Sequence, residues 1–322
     1  MKKEISYYER LIMIDDVKGI FEKELTARLD LIKIPCPLFV KSSSGLQDEL
    51  SGVEKAVSFM KDEEKFEVVH SLAKWKREVL GRYGFKPYKG ILTRMKAIRK
   101  DEIVDDIHSL YVEQWDWEKV IKEEDRTIDY LKETVRSIYK AIRQTAIIMR
   151  KRYPFLDVSL PKTISFITSQ ELEDMYPDKT PKEREEIIVK DKGAVFIIGI
   201  GDKLKSGVPH DKRSPDYDDW KLDGDLLVYD KAIGKAMELT SMGIRVDRKS
   251  LLDQLKKSRC EDRLTLPYHQ EIVYEKIPYT IGGGIGESRI VMLILGMHHV
   301  AEAQASSWQE ITYQSLSELS IL

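Results

Sequence analysis

The segment 280–296, TIGGGIGESRIVMLILG, limits what the chain can be more than any other: a run of glycines, a Glu, a Ser and one arginine lead into an apolar stretch. A dinucleotide-binding fingerprint needs Gly-x-Gly-x-x-Gly, but counted from Gly282 and Gly284 the third glycine falls on Glu287, and no Lys-Ser/Thr pair follows to make a P-loop. Both common nucleotide-binding folds are therefore excluded here. The stretch GIGDK at 199–203 also lacks a third glycine and reads as the exit from a strand into a loop. What remains at 280–296 is bare backbone beside Arg289, just inside the start of an apolar helix. An arginine so placed needs an anionic or π-faced partner.

The rest of the chain mixes helices and strands without regular βαβ alternation. Leu11, Ile14, Val17, Phe21, Leu25 and Leu29 recur at threes and fours, which predicts an amphipathic N-terminal helix over about 4–29 packed on the body. LIKIPCPLFV follows, and its two prolines predict an extended edge or interface segment rather than a central strand. Strands are expected at 67–71, 90–98 and 109–117, the last placing Leu110, Val112, Gln114 and Asp116 on one face. A long helix is predicted over 126–152, stopped by Pro154. Further strands are expected at 164–168, 194–200, 225–229 and 237–241, the last two paired as a hairpin, and the acid-rich SPDYDDWKLDGD reads as a loop. The pattern predicts an α+β fold with a mainly antiparallel sheet flanked by helices.

Composition narrows the function classes. A net charge of −2 over 322 residues gives no chain-wide basic footprint, so no nucleic-acid partner is expected. Cys36 and Cys260 are far apart and make neither a disulfide framework nor a zinc knuckle, which fits a cytoplasmic protein. The N-terminus carries Glu4, Glu9, Asp15 and Asp16 and has no apolar run of signal-peptide length, and no segment approaches the roughly 20 apolar residues that span a bilayer. No membrane partner is expected either.

Several of these segments together resemble a known superfamily. IRKDE with its return strand resembles motif 2 of the class II aminoacyl-tRNA synthetases, GGGIGESR with its apolar helix resembles motif 3, and LIKIPCPLF is similar to the proline-bearing motif 1. Within that superfamily QDELSG, EVVHSLAKWKR, YVEQWDWE, SPDYDDW, DGDLLVYD and ELTSMGIRVD, in this order, resemble the ammonia-dependent asparagine synthetases, from the N-terminal helix to the last one. The resemblance implies a single class II synthetase-like catalytic domain over 1–322 without an anticodon-binding module, and a homodimer through motif 1. It implies conversion of aspartate, ATP and ammonia into asparagine, AMP and pyrophosphate through a β-aspartyl-adenylate, with Mg²⁺ as cofactor.

Residue by residue, the resemblance assigns Arg99 to the α-phosphate, where attack by a carboxylate builds negative charge. Arg289 would lie along the adenine or the distal phosphates and Arg245 would serve the polyphosphate tail, with Ser241, Gly283 and Gly284 beside the nucleotide. Glu238, helped by Asp225, would hold Mg²⁺. Ser71, Lys76, Gln114, Asp116 and Asp218 are carried over for aspartate, with Arg213 as a further carboxylate partner. Asp48 would attract ammonium and take its proton. Free ammonia is the expected nitrogen donor because the chain begins Met-Lys-Lys, without the N-terminal cysteine that glutamine-dependent synthetases use.

Other conspicuous residues have plainer readings. Trp75, Trp115 and Trp117 are expected to pack in the core. His298 and His299, neighbours on a helix and so pointing about 100° apart, make no metal site without a third ligand. Cys36 reads as a small apolar filler. Two competing functions stand beside the ligase: an aspartyl- or asparaginyl-tRNA synthetase relative, and a synthetase-like regulator that binds without turnover.

Overall fold

Helix α1 (Tyr7–Leu29) forms where the apolar spacing predicts it, its first turn closed by the reciprocal capping of Ser6 and Glu9. Val17, Phe21 and Leu25 are fully buried, each contributing roughly 1.5–3 kcal/mol. They fasten α1 against the later helices of the body. These and all other coordinates come from a computed structural model that describes residues 5–50 and 54–308; the predicted start of the first helix, and 309–322, lie outside the described residues.

LIKIPCPLFV splits at its prolines into β1 (Leu31–Lys33) and β2 (Phe39–Lys41), which join different sheets. The predicted strand at 67–71 runs earlier, as β4 (Glu64–Val68), paired with β3 (Ser58–Lys61) and β2 in a small sheet. Residues 69–71 instead lead into α2 (Ala73–Arg82). Then come β5 (Gly90–Ile98), β6 (Tyr111–Val120) and the long α3 (Ile128–Arg152), N-capped by Thr127. They are followed by β7 (Ser165–Thr168), α4 (Ser169–Met175), α5 (Pro181–Lys192) and β8 (Ala194–Ile198). The hairpin consists of β9 (Asp218–Asp230) and β10 (Lys235–Arg245), and α6 (Arg248–Ser258), α7 (Pro267–Val273), β11 (Thr280–Gly286) and α8 (Glu287–Leu295) complete the described elements.

Eight strands form the main sheet, in the order β1-β5-β6-β11-β10-β9-β8-β7; only the outer pairs β1-β5 and β7-β8 are parallel. The predicted α+β class and antiparallel centre are therefore present. Two further segments show what the sequence reading did not anticipate. The acid-rich stretch is largely strand, because Asp218, Asp223 and Asp225 are buried on β9 beside arginines rather than solvated. The glycine run, to which the sequence reading assigned no element, is β11, in the middle of the sheet between β6 and β10.

The two faces of the sheet are sharply different. Trp115 and Trp117 of β6, Ile281 and Ile285 of β11, and Met242 and Ile244 of β10 point into the main core, with apolar residues of α1, α3 and α8. The alternate residues of the same strands, Gln114, Asp116 and Glu118, stand opposite Gly286, Gly284 and Gly282 on the other face. Both tryptophans thus have the packing role expected of them. Among the described residues no helix is long and apolar enough to cross a membrane.

Candidate active site

The polar face of the sheet floors one cavity, lined by Asp48, Ser71, Arg99, Gln114, Asp116 and Arg213, by Tyr217, Asp218, Glu238, Ser241 and Arg245, and by Gly283, Gly284 and Arg289. Of the residues carried over from the sequence, only Lys76 and Asp225 are not part of this lining, and both touch it through partners. Lys76 Nζ donates to Asp116 Oδ1 at 2.5 Å and to the Gly283 carbonyl at 3.2 Å. Asp225 pairs with Arg213. Chain segments more than 200 residues apart therefore converge on one place.

Bare backbone is required here by the protein's own side chains. A Cβ on Gly282 would overlap the Glu118 carboxylate and come within 2.6 Å of Arg245 Nη2, and one on Gly284 would lie 2.7 Å from Gln114 Oε1. Gly283 faces the other way, against Met242. Arg245 itself is buried: it donates to Glu118 at 2.7 to 3.2 Å and to Asp218 at 2.5 Å, with Tyr217 stacked 5.7 Å from its guanidinium. Fully engaged by two carboxylates, it forms the floor of one end of the cavity. Arg289 marks the other end, donating to the Glu238 carbonyl at 2.8 Å. Glu238 and Arg245 are seven positions apart on β10, roughly 20 Å at strand rise.

Several polar atoms at this site have no hydrogen-bond partner. Arg99 Nε, Arg213 Nε, Asp116 Oδ2, Asp223 Oδ2 and Asp225 Oδ1 are buried and unpaired. Such groups are costly unless a ligand completes them. Burial, opposed by Arg245, raises the Asp218 carboxyl to about 6. Burial also raises Asp225, to about 7, with Glu238 adding to the rise against the pull of Arg213. Burial would raise Glu238 as well, but Arg289, Arg213 and Lys182 hold it below the ordinary glutamate value. A bulge in β10 between Glu238 and Thr240 turns Glu238 to the same face as Asp225 and Ser241, which a regular strand would not do.

Asp48 is buried in the segment before α2. Its carboxylate accepts from Ser71 Oγ at 2.6 Å and from the Leu50 amide at 2.8 Å. Behind it stands a second buried network centred on Asp216. Lys74 at 2.7 Å, His269 at 2.8 Å and Arg263 at 2.9 Å converge on one oxygen, and Ser214 reaches the other at 2.7 Å. Lys74 also donates to the Gln47 carbonyl at 2.9 Å, so the network braces the Asp48 segment against the segment carrying Arg213, Tyr217 and Asp218.

Glu118 and Tyr217 were within reach of the sequence, the first by alternation with Gln114 and Asp116, the second inside SPDYDDW. Nothing in the sequence joins Asp216 to His269, 53 residues away. His298 and His299 lie beyond the end of α8 rather than on a helix: His299 caps the turn at Ala301 and His298 meets the Ala232 carbonyl. Cys36 is half-buried, its thiol on the Arg94 carbonyl.

A central antiparallel sheet with a glycine strand, an arginine at the start of the next helix and an arginine at the end of β5 defines a catalytic core of the class II aminoacyl-tRNA synthetase type. Solved structures with this fold include asparaginyl-tRNA synthetase from Pyrococcus horikoshii complexed with asparaginyl-adenylate (TM-score 0.67, 14% identity, 92% of this chain and 68% of that one). Aspartyl-tRNA synthetase from Entamoeba histolytica is similar too (TM-score 0.61, 18% identity, 94% and 58%). At the level of sequence, the profile of the aspartate-ammonia ligases matches residues 8–320. An aspartate-ammonia ligase of Clostridium perfringens is 54% identical over 98% of this chain and 95% of its own length, and that of Fusobacterium nucleatum 52% over 97% and 96%. The chain belongs to the aspartate-ammonia ligase family.

Proposed function

We propose that this ligase joins free ammonia to the β-carboxyl of L-aspartate in two steps, activation by ATP to β-aspartyl-adenylate with release of pyrophosphate, then displacement of AMP by ammonia. One observation carries this reading: unpaired buried donors (Arg99 Nε and Arg213 Nε) and an unpaired buried acceptor (Asp116 Oδ2) line one cavity, with Asp225 behind Arg213, which suits a ligand that is at once an anion and an ammonium.

Aspartate fits the end floored by Arg245, where Lys76 and Arg245 supply positive charge and Asp116 and Asp218 supply acceptors, with Gln114 and Ser71 at the walls. On this reading Arg245 serves the amino acid and not the polyphosphate. All three of its guanidinium nitrogens are already engaged by Glu118 and Asp218, whereas Arg289 meets Glu238, seven positions away along β10. Arg99 would face the α-phosphate, where its free Nε meets oxygens that gain charge during attack. Arg213 and Arg289 would take the distal phosphates and the base.

Asp225 and Glu238 fit Mg²⁺: an unpaired carboxylate oxygen sits beside a second carboxylate, and a cation would relieve the mutual repulsion that raises Asp225. Bound there, the ion would neutralise phosphate charge, its remaining ligands coming from phosphate and water, since the described residues hold no cluster of three His, Cys, Asp or Glu able to bind a metal.

In the second step the incoming ammonium must lose a proton. Asp48 and Asp218 are the carboxylates assigned to attract it, and Asp218, raised to about 6, suits a base near neutral pH. Dimerisation is part of the same reading: Ile32, Leu38 and Phe39 of the motif 1 segment are all exposed apolar residues that a second copy would cover, so sedimentation as a monomer would contradict it.

The deciding assay mixes aspartate, Mg-ATP and ammonium and measures AMP and asparagine, with and without tRNA. Ammonium-dependent asparagine with equal AMP supports the ligase, and aspartate transferred to tRNA contradicts it. Asp48→Asn and Asp218→Asn then separate the steps: the variant that keeps aspartate-dependent ATP-pyrophosphate exchange but loses asparagine formation identifies the acceptor of the ammonium proton.

A further inference from the structure

Gln304 lines the same cavity, at the Arg289 end, yet belongs to none of the motifs above. It is only 4% exposed and lies in the turn after α8, which the Val300 amide ties to the Asp106 carbonyl at 2.7 Å. Its carboxamide bridges two walls: Nε2 donates to Ser109 Oγ at 2.5 Å and to the Tyr111 carbonyl at 2.6 Å, and Oε1 accepts from Ser288 Oγ at 2.5 Å.

This network fixes which way the amide points. A backbone carbonyl can only accept, so the atom beside Tyr111 O must be the nitrogen. Ser109 confirms it, since its one hydroxyl proton also goes to the Tyr111 carbonyl and its oxygen is left to accept from Gln304. Both Nε2 hydrogens are thereby used. Oε1 retains one free lone pair after accepting from Ser288.

The surroundings suit a flat heteroaromatic ring. Ile107, Leu239 and Val300 line this end of the cavity, and Arg289, held by the carbonyls of Glu238 and Ile107, offers its guanidinium plane. We propose that Gln304 selects the nucleotide base: its free Oε1 lone pair accepts the 6-amino group of adenine and repels the 6-oxo group of guanine. Flipping the amide to suit guanine would set Oε1 against the Tyr111 carbonyl, so the preference is built into the fold. The inference rests on the reading that this cavity takes a nucleoside triphosphate.

The test compares α,β-methylene ATP with its guanine counterpart by calorimetry, in the presence of Mg²⁺, on the wild type and on Gln304→Ala. The wild type should bind the adenine analogue more tightly by on the order of 10- to 100-fold, as expected when a buried acceptor meets a donor rather than another acceptor. Gln304→Ala should erase most of that ratio. In turnover, purine riboside triphosphate, which lacks a 6-substituent, should cost the wild type roughly 3- to 10-fold in kcat/KM relative to ATP, and should cost Gln304→Ala almost nothing. A purely structural Gln304 would raise the KM for aspartate and weaken both analogues equally, leaving the ratio intact, and that result overturns the proposal. So does a wild type that binds both analogues alike, a measurement that needs no variant. A wild type that binds neither analogue removes the nucleotide reading and this assignment together, whereas absence of asparagine formation with base preference intact removes only the proposed reaction.

Discussion

Arg245 grips Glu118 through a forked ion pair at 2.7 to 3.2 Å, and the pair exists because the strand between them, at Gly282, has no side chain. A glycine that reads as a ligand-approach position in the sequence is first a packing position for two buried charges.

Gly282→Ala should therefore destabilise the protein by about 3 kcal/mol, since overpacking and a broken buried ion pair act together. Gly286→Ala, whose new methyl group would meet the Arg289 side chain at an ordinary 3.5 Å, should cost less than about 1 kcal/mol. Urea unfolding of the two variants is the comparison, and equal losses would refute this account of the glycine strand.

Asp225 is raised to about 7 in the folded protein from an ordinary value of 3.8. Between those values the folded state holds the proton more strongly than the unfolded chain, so this group's contribution to stability falls as pH rises through the window. Without Mg²⁺, wild type should lose stability relative to Asp225→Asn between pH 4 and 7 and hold a constant difference above it. Added Mg²⁺ should raise the melting temperature of wild type at pH 8 and leave the variant unmoved. A pH-independent difference would show that Asp225 titrates normally.

Asp216 behaves in the opposite sense. Burial would raise it, but Lys74, His269 and Arg263 hold it well below the ordinary value, so its stabilisation is complete above about pH 4 and fades as pH falls further. Asp216→Asn should cost about 3–5 kcal/mol at pH 7, as removal of one partner from a buried charge network does. Lys74→Met should also destabilise, and the double variant should lose less than the sum of the two. Strict additivity would mean that the two residues are not coupled.

Arg289→Ala should lower aspartate-dependent ATP-pyrophosphate exchange by on the order of 100-fold, the scale of one lost preorganised donor. The variant should still fold, losing about 1–3 kcal/mol because the Glu238 and Ile107 carbonyls lose their donor. Near-normal exchange would remove Arg289 from the site.

Much of this was legible in the chain itself. The helices α1 and α3 follow from apolar residues at threes and fours, and the edge position of the strands in LIKIPCPLFV follows from prolines that cannot donate to a ladder, although their separation into two sheets was not foreseen. Other features were hidden for identifiable reasons. Glycine is a poor strand former, so nothing in the sequence marked β11 as a strand; it is one because β6 and β10 pair with both its edges. SPDYDDWKLDGD reads as a loop, yet its acids are buried because Arg245 and Lys74 arrive from distant segments and Arg213, just before it, turns onto Asp225.

The sequence by itself determined the periodicities, the ordered motifs and, through them, the family and most of the residues that line the cavity, because each of these is carried by residues near one another in the chain. Only the tertiary structure decided which charges meet. The pairing of Arg245 with Glu118, the bulge that turns Glu238 toward Asp225, the brace around Asp216 and the place of Gln304 all depend on strand register and on contacts between segments far apart. A one-residue slip in that register would send Arg245, Glu118 and Glu238 to the opposite face of the sheet.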